Sequence, residues 1–122
     1  GKSESARRID MSDCIFCKIV AGELPCGKVY EDDDVIAFHD IHPFARVHLL
    51  IIPKLHIATL ADCTPAHEGL LGKMLLLAPR LAKEQGLTTG FKTLINTGRG
   101  GGQEVFHIHV HVFGGGDPVP RT

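Results

Sequence analysis

Three histidines stand at every second position in HIHVHVFGG, the run from His107 to Gly115. On an extended strand side chains alternate, so His107, His109 and His111 share one face with Val105 and Phe113, while Phe106, Ile108, Val110 and Val112 point to the other, core-facing side. The imidazoles then lie about 7 Å apart, and their face cannot pack as ordinary core because each ring needs hydrogen-bond partners. One such histidine reads as lining a wet sheet face; three in register call for chemistry. Two chemistries fit: a transition-metal site, or an anion site where histidine serves as nucleophile, base or donor.

Reaction at phosphorus suits the residue type. A neutral imidazole is a nucleophile near pH 7, and a neighbouring ring can donate to phosphate oxygens. The preceding GRGGGQ lets backbone N–H groups approach an anion without Cβ clashes, although it lacks the Lys and Ser/Thr of a P-loop and leads into a strand. Cys14-x-x-Cys17 is half of a zinc site by spacing and needs two more ligands. Cys26 and Cys63 read as bystanders.

These residues must be positioned by a small scaffold. Ser12 is expected to cap a short helix over roughly 14–20, ended by Gly22. KVYE and VIAFHD, separated by Asp32-Asp33-Asp34, read as a hairpin over 28–39, and the triple acid as a solvated turn. VHLLIIPK reads as a buried central strand. Thr64-Pro65 opens the one long helix, with Leu70, Leu71, Met74, Leu75, Ala78, Leu81 and Ala82 on its apolar stripe up to Gly86; Pro79 should bend or loosen it. FKTLINTG supplies another strand. The fold class is α+β: an antiparallel sheet of about five strands, one long helix and a short N-terminal helix.

With 122 residues, 43% of them hydrophobic and 22% charged, the chain fits one globular domain. Residues 1–11 read as a disordered lead-in or cloning remnant, and 12–122 as the domain. The net charge of −1 offers no basic field for a nucleic-acid polymer. No apolar run is long enough for a bilayer and no signal peptide is apparent, so the cytoplasm is the expected compartment, with reduced thiols.

The run HIHVHVF, with GGQEVF upstream, resembles the signature of the histidine triad superfamily. CIFCKIVAGELP, VYEDDDVIAFHDIHP, HLLIIPKLHI and GGQEVFHIHVHVFGG, in that order over about residues 12–115, are similar to its Hint-like branch, the nucleoside phosphoramidate hydrolases. The resemblance implies a HIT-like fold and a homodimer that binds purine nucleotides such as AMP or GMP, or their phosphoramidates. It implies cleavage through a nucleotidyl-histidine, with no catalytic cofactor. Carried onto this chain, it makes His109 the nucleophile, with His111 and His48 orienting the phosphate beside Asn96 and the backbone around Gly102 and Gln103. It places Asp40 on the ribose hydroxyls and Ile15, Phe16, Phe38 and Ile41 around the purine. It also completes a structural zinc site as Cys14, Cys17, His56 and His107, the alternative being two buried thiols beside a satisfied histidine.

His39 and His42 are expected at the surface. Glu104 stands where several Hint-like proteins carry a hydroxyl residue, and no role is assigned to it. The tail DPVPRT differs from the Trp-containing ending of animal members. The rival functions are a dinucleoside polyphosphate hydrolase, a nucleotide-binding regulatory module with vestigial turnover, and a metalloenzyme using all three histidines.

Overall fold

The computed structural model describes residues 13–115. The lead-in expected over 1–11, the cap at Ser12 and the tail from 116 lie outside the described residues. A short helix α1 (Ile15–Val20) precedes strands β1 (Lys28–Glu31), β2 (Val35–His39) and β3 (Val47–Pro53). The long helix α2 (Glu68–Glu84) follows, then β4 (Lys92–Leu94) and β5 (Val110–Gly114). The strands form one antiparallel five-stranded sheet in the order β1-β2-β3-β5-β4, which is the α+β arrangement expected from the sequence.

All seven residues of β3 are buried, as its aliphatic, β-branched content predicts for a strand covered on both faces. Val47, Leu49 and Ile51 pack with Val110 and Val112 against Met74, Leu77, Ala78, Leu81 and Ala82 of α2. Leu50 and Ile52 face the other way, where Phe16 of α1 packs on Ile36 and Phe38. In an antiparallel pair, directly opposed residues share a face. Leu50 opposes His111, and His48 opposes Phe113, so both histidines lie on the α1 side.

Several expected boundaries shift. Thr64 caps only a 3-10 turn (Pro65–His67), with His67 reciprocating, before α2 begins at Glu68. Leu75, placed on the apolar stripe, is 46% exposed, and Leu77 takes its place in the core. A stripe spaced 74, 77, 78, 81, 82 leaves position 75 on the outward face. Pro79 does not interrupt α2; it lies exposed, where the carbonyl it deprives of a donor can turn to water. The strand expected over FKTLINTG contracts to Lys92–Leu94, leaving Asn96 in the following loop.

The histidine strand is also shorter than its alternation implies, beginning only at Val110. Residues 107–109 approach it outside the ladder, where the Ile108 N–H donates to Ile57 O at 2.7 Å. Phe106, expected in the core, is only half-buried. The triple acid ties the sheet to α2, Lys73 lying 2.7 Å from Asp32 and 3.0 Å from Asp34.

Candidate active site

The cysteines of α1 meet two histidines from elsewhere in the chain. Cys14 is the helix N-cap, its sulfur accepting the Cys17 N–H at 3.4 Å. His56 follows β3, and His107 precedes β5. The two sulfurs and the two Nδ1 atoms lie within 4.8 Å of one another. Cys14 and Cys17 Sγ are each 3.5 Å from His107 Nδ1, Cys17 Sγ is 3.2 Å from His56 Nδ1, and the two Nδ1 atoms are 3.2 Å apart. A tetrahedron with Zn–S of about 2.3 Å and Zn–N of about 2.0 Å has edges of roughly 3.3–3.8 Å, so the donor set fits such an ion.

The tautomer of His107 agrees with that fit. Its Nε2 is 2.8 Å from Pro53 O, and a carbonyl oxygen only accepts, so Nε2 carries the proton and Nδ1 presents a bare lone pair to the cluster. The ring is wholly buried, and burial pushes its pKa down to about 4. Burial, then the adjacent Cys14, pushes the Cys17 thiol up.

The same reasoning fixes His109. Its Nδ1 lies 2.8 Å from His107 O and must donate there, which leaves Nε2 as the unprotonated, nucleophilic nitrogen. Phe16 meets the ring edge-on, with centroids 5.1 Å apart. Burial lowers the pKa of His109 against the opposing pull of the His107 carbonyl and Asp40.

His111 is set by a chain of donors. The Phe44 N–H donates to His48 Nδ1 at 3.0 Å, so a neutral His48 holds its proton on Nε2. That nitrogen lies 2.9 Å from His111 Nδ1, which therefore accepts, and His111 presents Nε2–H on its free edge. Burial pushes the His111 pKa down to about 4, helped by His109 and His48 and opposed by Asp40. Burial lowers that of His48 as well, although Asp40 Oδ2 stands only 3.5 Å away. Desolvation outweighs the carboxylate, so both rings are neutral donors.

His109 and His111 open into a cavity of ≈ 450 Å³. Ile15, Phe16, Phe38 and Ile41 line it as expected, as do Asp40, Asn96 and Gly102. His48 lies behind His111, away from the lining. The Gln103 side chain, assigned no role from the sequence, is buried, and its amide accepts from Gly98 N–H and donates to Ala58 O and Val105 O. The Gly102 and Gln103 N–H groups already donate to Arg99 O and Gly98 O, closing a turn that needs positive φ at Gly98 (72°) and Gly102 (83°). Their amides are therefore not a ready anion cradle. His39 and His42 are exposed, as expected, though both border the cavity mouth.

Phe44 was missed. Besides its N–H, its ring stacks on His111 and packs at a tilt on His48, centroids 5.6 and 4.4 Å away. Nothing in HPFAR signals a role carried by a backbone amide. The reading of all three histidines as ligands of one metal fails on geometry, because His107 turns to the cysteines and His109 Nδ1 to a carbonyl.

Comparison with known proteins identifies relatives of the whole chain and of its fold. The HIT domain model matches residues 21–117. The chain is 60% identical to Protein HitA of Neisseria gonorrhoeae over 85% of its length and 97% of that protein's. It is 46% identical to the purine nucleoside phosphoramidase of Escherichia coli K12, covering 84% of this chain and 87% of that one. It is also 46% identical to a 14 kDa zinc-binding protein of Zea mays, covering 93% and 91%. A histidine triad protein from Clostridium difficile superposes with a TM-score of 0.86 at 42% identity, over 93% of this chain and 99% of that one. The chain belongs to the HIT domain family.

Proposed function

We propose that the protein is a purine nucleoside phosphoramidate hydrolase working through a nucleotidyl-histidine. The observation that carries the reading is the His109 Nδ1–His107 O hydrogen bond, which leaves a bare Nε2 in a cavity of nucleotide size. In the first step the Nε2 lone pair forms a bond to phosphorus and the P–N bond breaks; the amine departs with the bonding pair and gains a proton from solvent at the mouth. Water then forms a new P–O bond and loses a proton, the N–P bond breaks, and its electron pair returns to Nε2. His111 Nε2–H steadies the phosphate oxygens in both steps. The name of the Escherichia coli relative supports the same substrate class.

Asp40 accepts the ribose hydroxyls; its Oδ1 takes the His42 N–H at 2.8 Å and keeps further lone pairs. Ile15, Phe16, Phe38 and Ile41 enclose the purine, with Asn96 near the phosphate. Gly102 keeps its side of the cavity free of a Cβ, and Gln103 holds the loop. Cys14, Cys17, His56 and His107 would hold zinc, which supplies a structural cross-link and no attacking water because all four positions are protein ligands.

A second copy of the chain is the expected partner. The open edge of β4 and the exposed Leu75, Leu76 and Leu94 support this reading. A sedimentation mass of one chain would overturn it.

The experiment for the main reading is mass spectrometry of enzyme rapidly quenched with a slow nucleoside phosphoramidate, avoiding acid. A nucleotidyl adduct on the peptide containing His109 is expected. An adduct elsewhere, or turnover with none under single-turnover conditions, overturns the mechanism.

A further inference from the structure

The cavity wall is unusual in its charge. Among the described residues its ionisable side chains are Asp40, Glu104, Cys26 and four histidines, with no lysine or arginine lining it. Among these residues His111 offers an anion a neutral N–H donor, while the wall presents two carboxylates. Asp40 is engaged, accepting from His42 N–H and lying beside His48. Glu104 is exposed, and among the described residues its carboxylate has no hydrogen bond or ion pair.

The backbone that carries it is nevertheless held. The Gln103 amide ties the loop down on both sides, accepting from Gly98 N–H at 2.9 Å and donating to Val105 O at 2.9 Å, and it also donates to Ala58 O at 2.7 Å. Gly102 and Val105 line the same cavity as His109 and His111. Asp40 and the apolar wall from α1 and the end of β2 suit a nucleoside, and the reacting imidazoles come next. Glu104 lines the same cavity from the loop of Gly102 and Val105, a wall formed by neither the nucleoside-facing residues nor the imidazoles.

We propose that Glu104 selects leaving groups by charge, favouring phosphoramidates whose departing amine carries a second cationic group and disfavouring leaving groups that carry carboxylates or further phosphates. This rests on the P–N hydrolase reading. A carboxylate a few ångströms from a leaving-group charge at a solvated mouth discriminates by roughly tenfold, and added salt weakens the effect. The same charge opposes the polyphosphate chain of a dinucleoside polyphosphate, which carries several negative charges through the mouth.

The test uses the full chain and three adenosine 5′-phosphoramidates of matched length, with butylamine, 1,4-diaminobutane and 4-aminobutanoate as leaving groups. For the unmodified protein, kcat/KM is expected to fall in the order cationic, neutral, anionic, spanning roughly tenfold at low salt and less at high salt. In Glu104→Gln the ratios, each normalised to the neutral substrate, collapse towards one; in Glu104→Lys they invert. Unchanged ratios in both variants, or equal slowing of all three substrates without a change of ratio, overturn the proposal. Absence of turnover on the neutral compound overturns the P–N reading itself and this inference with it, a result distinct from a flat ratio.

Discussion

His109 donates its Nδ1 proton to the carbonyl oxygen of His107 across 2.8 Å, so one triad member orients the next through the backbone, not through its ring. The hydrogen bond fixes the tautomer, and the free Nε2 follows from it. Replacing His109 by Asn removes that lone pair while keeping a polar side chain. Turnover of adenosine phosphoramidates is expected to fall at least about 10³-fold, with AMP affinity measured by calorimetry changing only a few-fold. A variant that kept its kcat would place the attacking atom elsewhere.

The Phe44, His48, His111 chain makes a separate claim. His48 lies behind the cavity lining and acts by holding His111 as an Nε2–H donor. His48→Leu leaves His111 Nδ1 without its donor, so the ring can reverse its tautomer and offer a lone pair to the phosphate. Loss of one aimed donor should lower kcat by about 10²-fold with a much smaller change in KM. A change confined to KM would show His48 binding substrate in its own right.

Stability should fall on mild acidification. The folded-state pKa of His111 is lowered to about 4 by burial, whereas the unfolded chain titrates near the ordinary value of 6.5. Above 6.5 both states are neutral and the fold is at full strength. Between about 6.5 and 4 only the unfolded state binds the proton, so stability declines as pH falls. The Tm, followed from pH 7 to 4.5, is expected to drop, and His111→Asn should flatten part of that slope. The paired carboxylates enter lower still: Glu31 is held down to about 2 by Lys28 and Lys54, and Asp32 lower again by Lys73.

The sheet was legible because its signals are local. The apolar run of β3, the acidic turn between β1 and β2, and the 74, 78, 81/82 spacing of α2 each follow from local pattern, although that spacing put Leu75 where Leu77 packs. Alternation also assigned His111 and Val112 to their correct faces. The strand ladder ends upstream of Val110, because Ile108 bonds to Ile57 and the His107 carbonyl serves His109; Ile108 is still buried as expected, and only Phe106 departs. The triad's residue types could be read directly; its tautomers could not, since they are set by the carbonyls of Pro53 and His107 and by the Phe44 amide, whose partners depend on tertiary geometry. The resemblance placed the backbone around Gly102 and Gln103 at the phosphate, yet those N–H groups bond within the loop, and the Gln103 side chain, to which no role was given, holds the loop to Gly98, Ala58 and Val105.

Zinc is tested by what its ligands do to composition and stability. Protein purified without chelator is expected to hold one zinc per chain, and Cys14→Ser to lose it. Because the cluster joins α1 to the segments before β5 and after β3, the variant's Tm should fall by several degrees, and chelator should bring the unmodified protein to a similar value. Unmodified protein without stoichiometric zinc would leave the cluster as two thiols beside hydrogen-bonded histidines.

Gln103 offers a final check on how the glycine loop is held. Its buried amide satisfies Gly98 N–H, Ala58 O and Val105 O at once, spanning the loop and the segment after β3. Leu at this position has similar volume and none of the three bonds, so buried backbone groups lose their partners. The expected loss is about 2 kcal/mol, read as a lower urea midpoint at unchanged m-value. Because Glu104 and Val105 follow directly, Gln103→Leu should also raise KM for phosphoramidates and weaken the discrimination between cationic and anionic leaving groups. Gln103→Glu keeps the acceptor for Gly98 but sets a carboxylate against two carbonyls, so it should be at least as damaging as Leu. If Gln103→Glu were instead as stable as the unmodified protein, the amide donors would not be holding the loop.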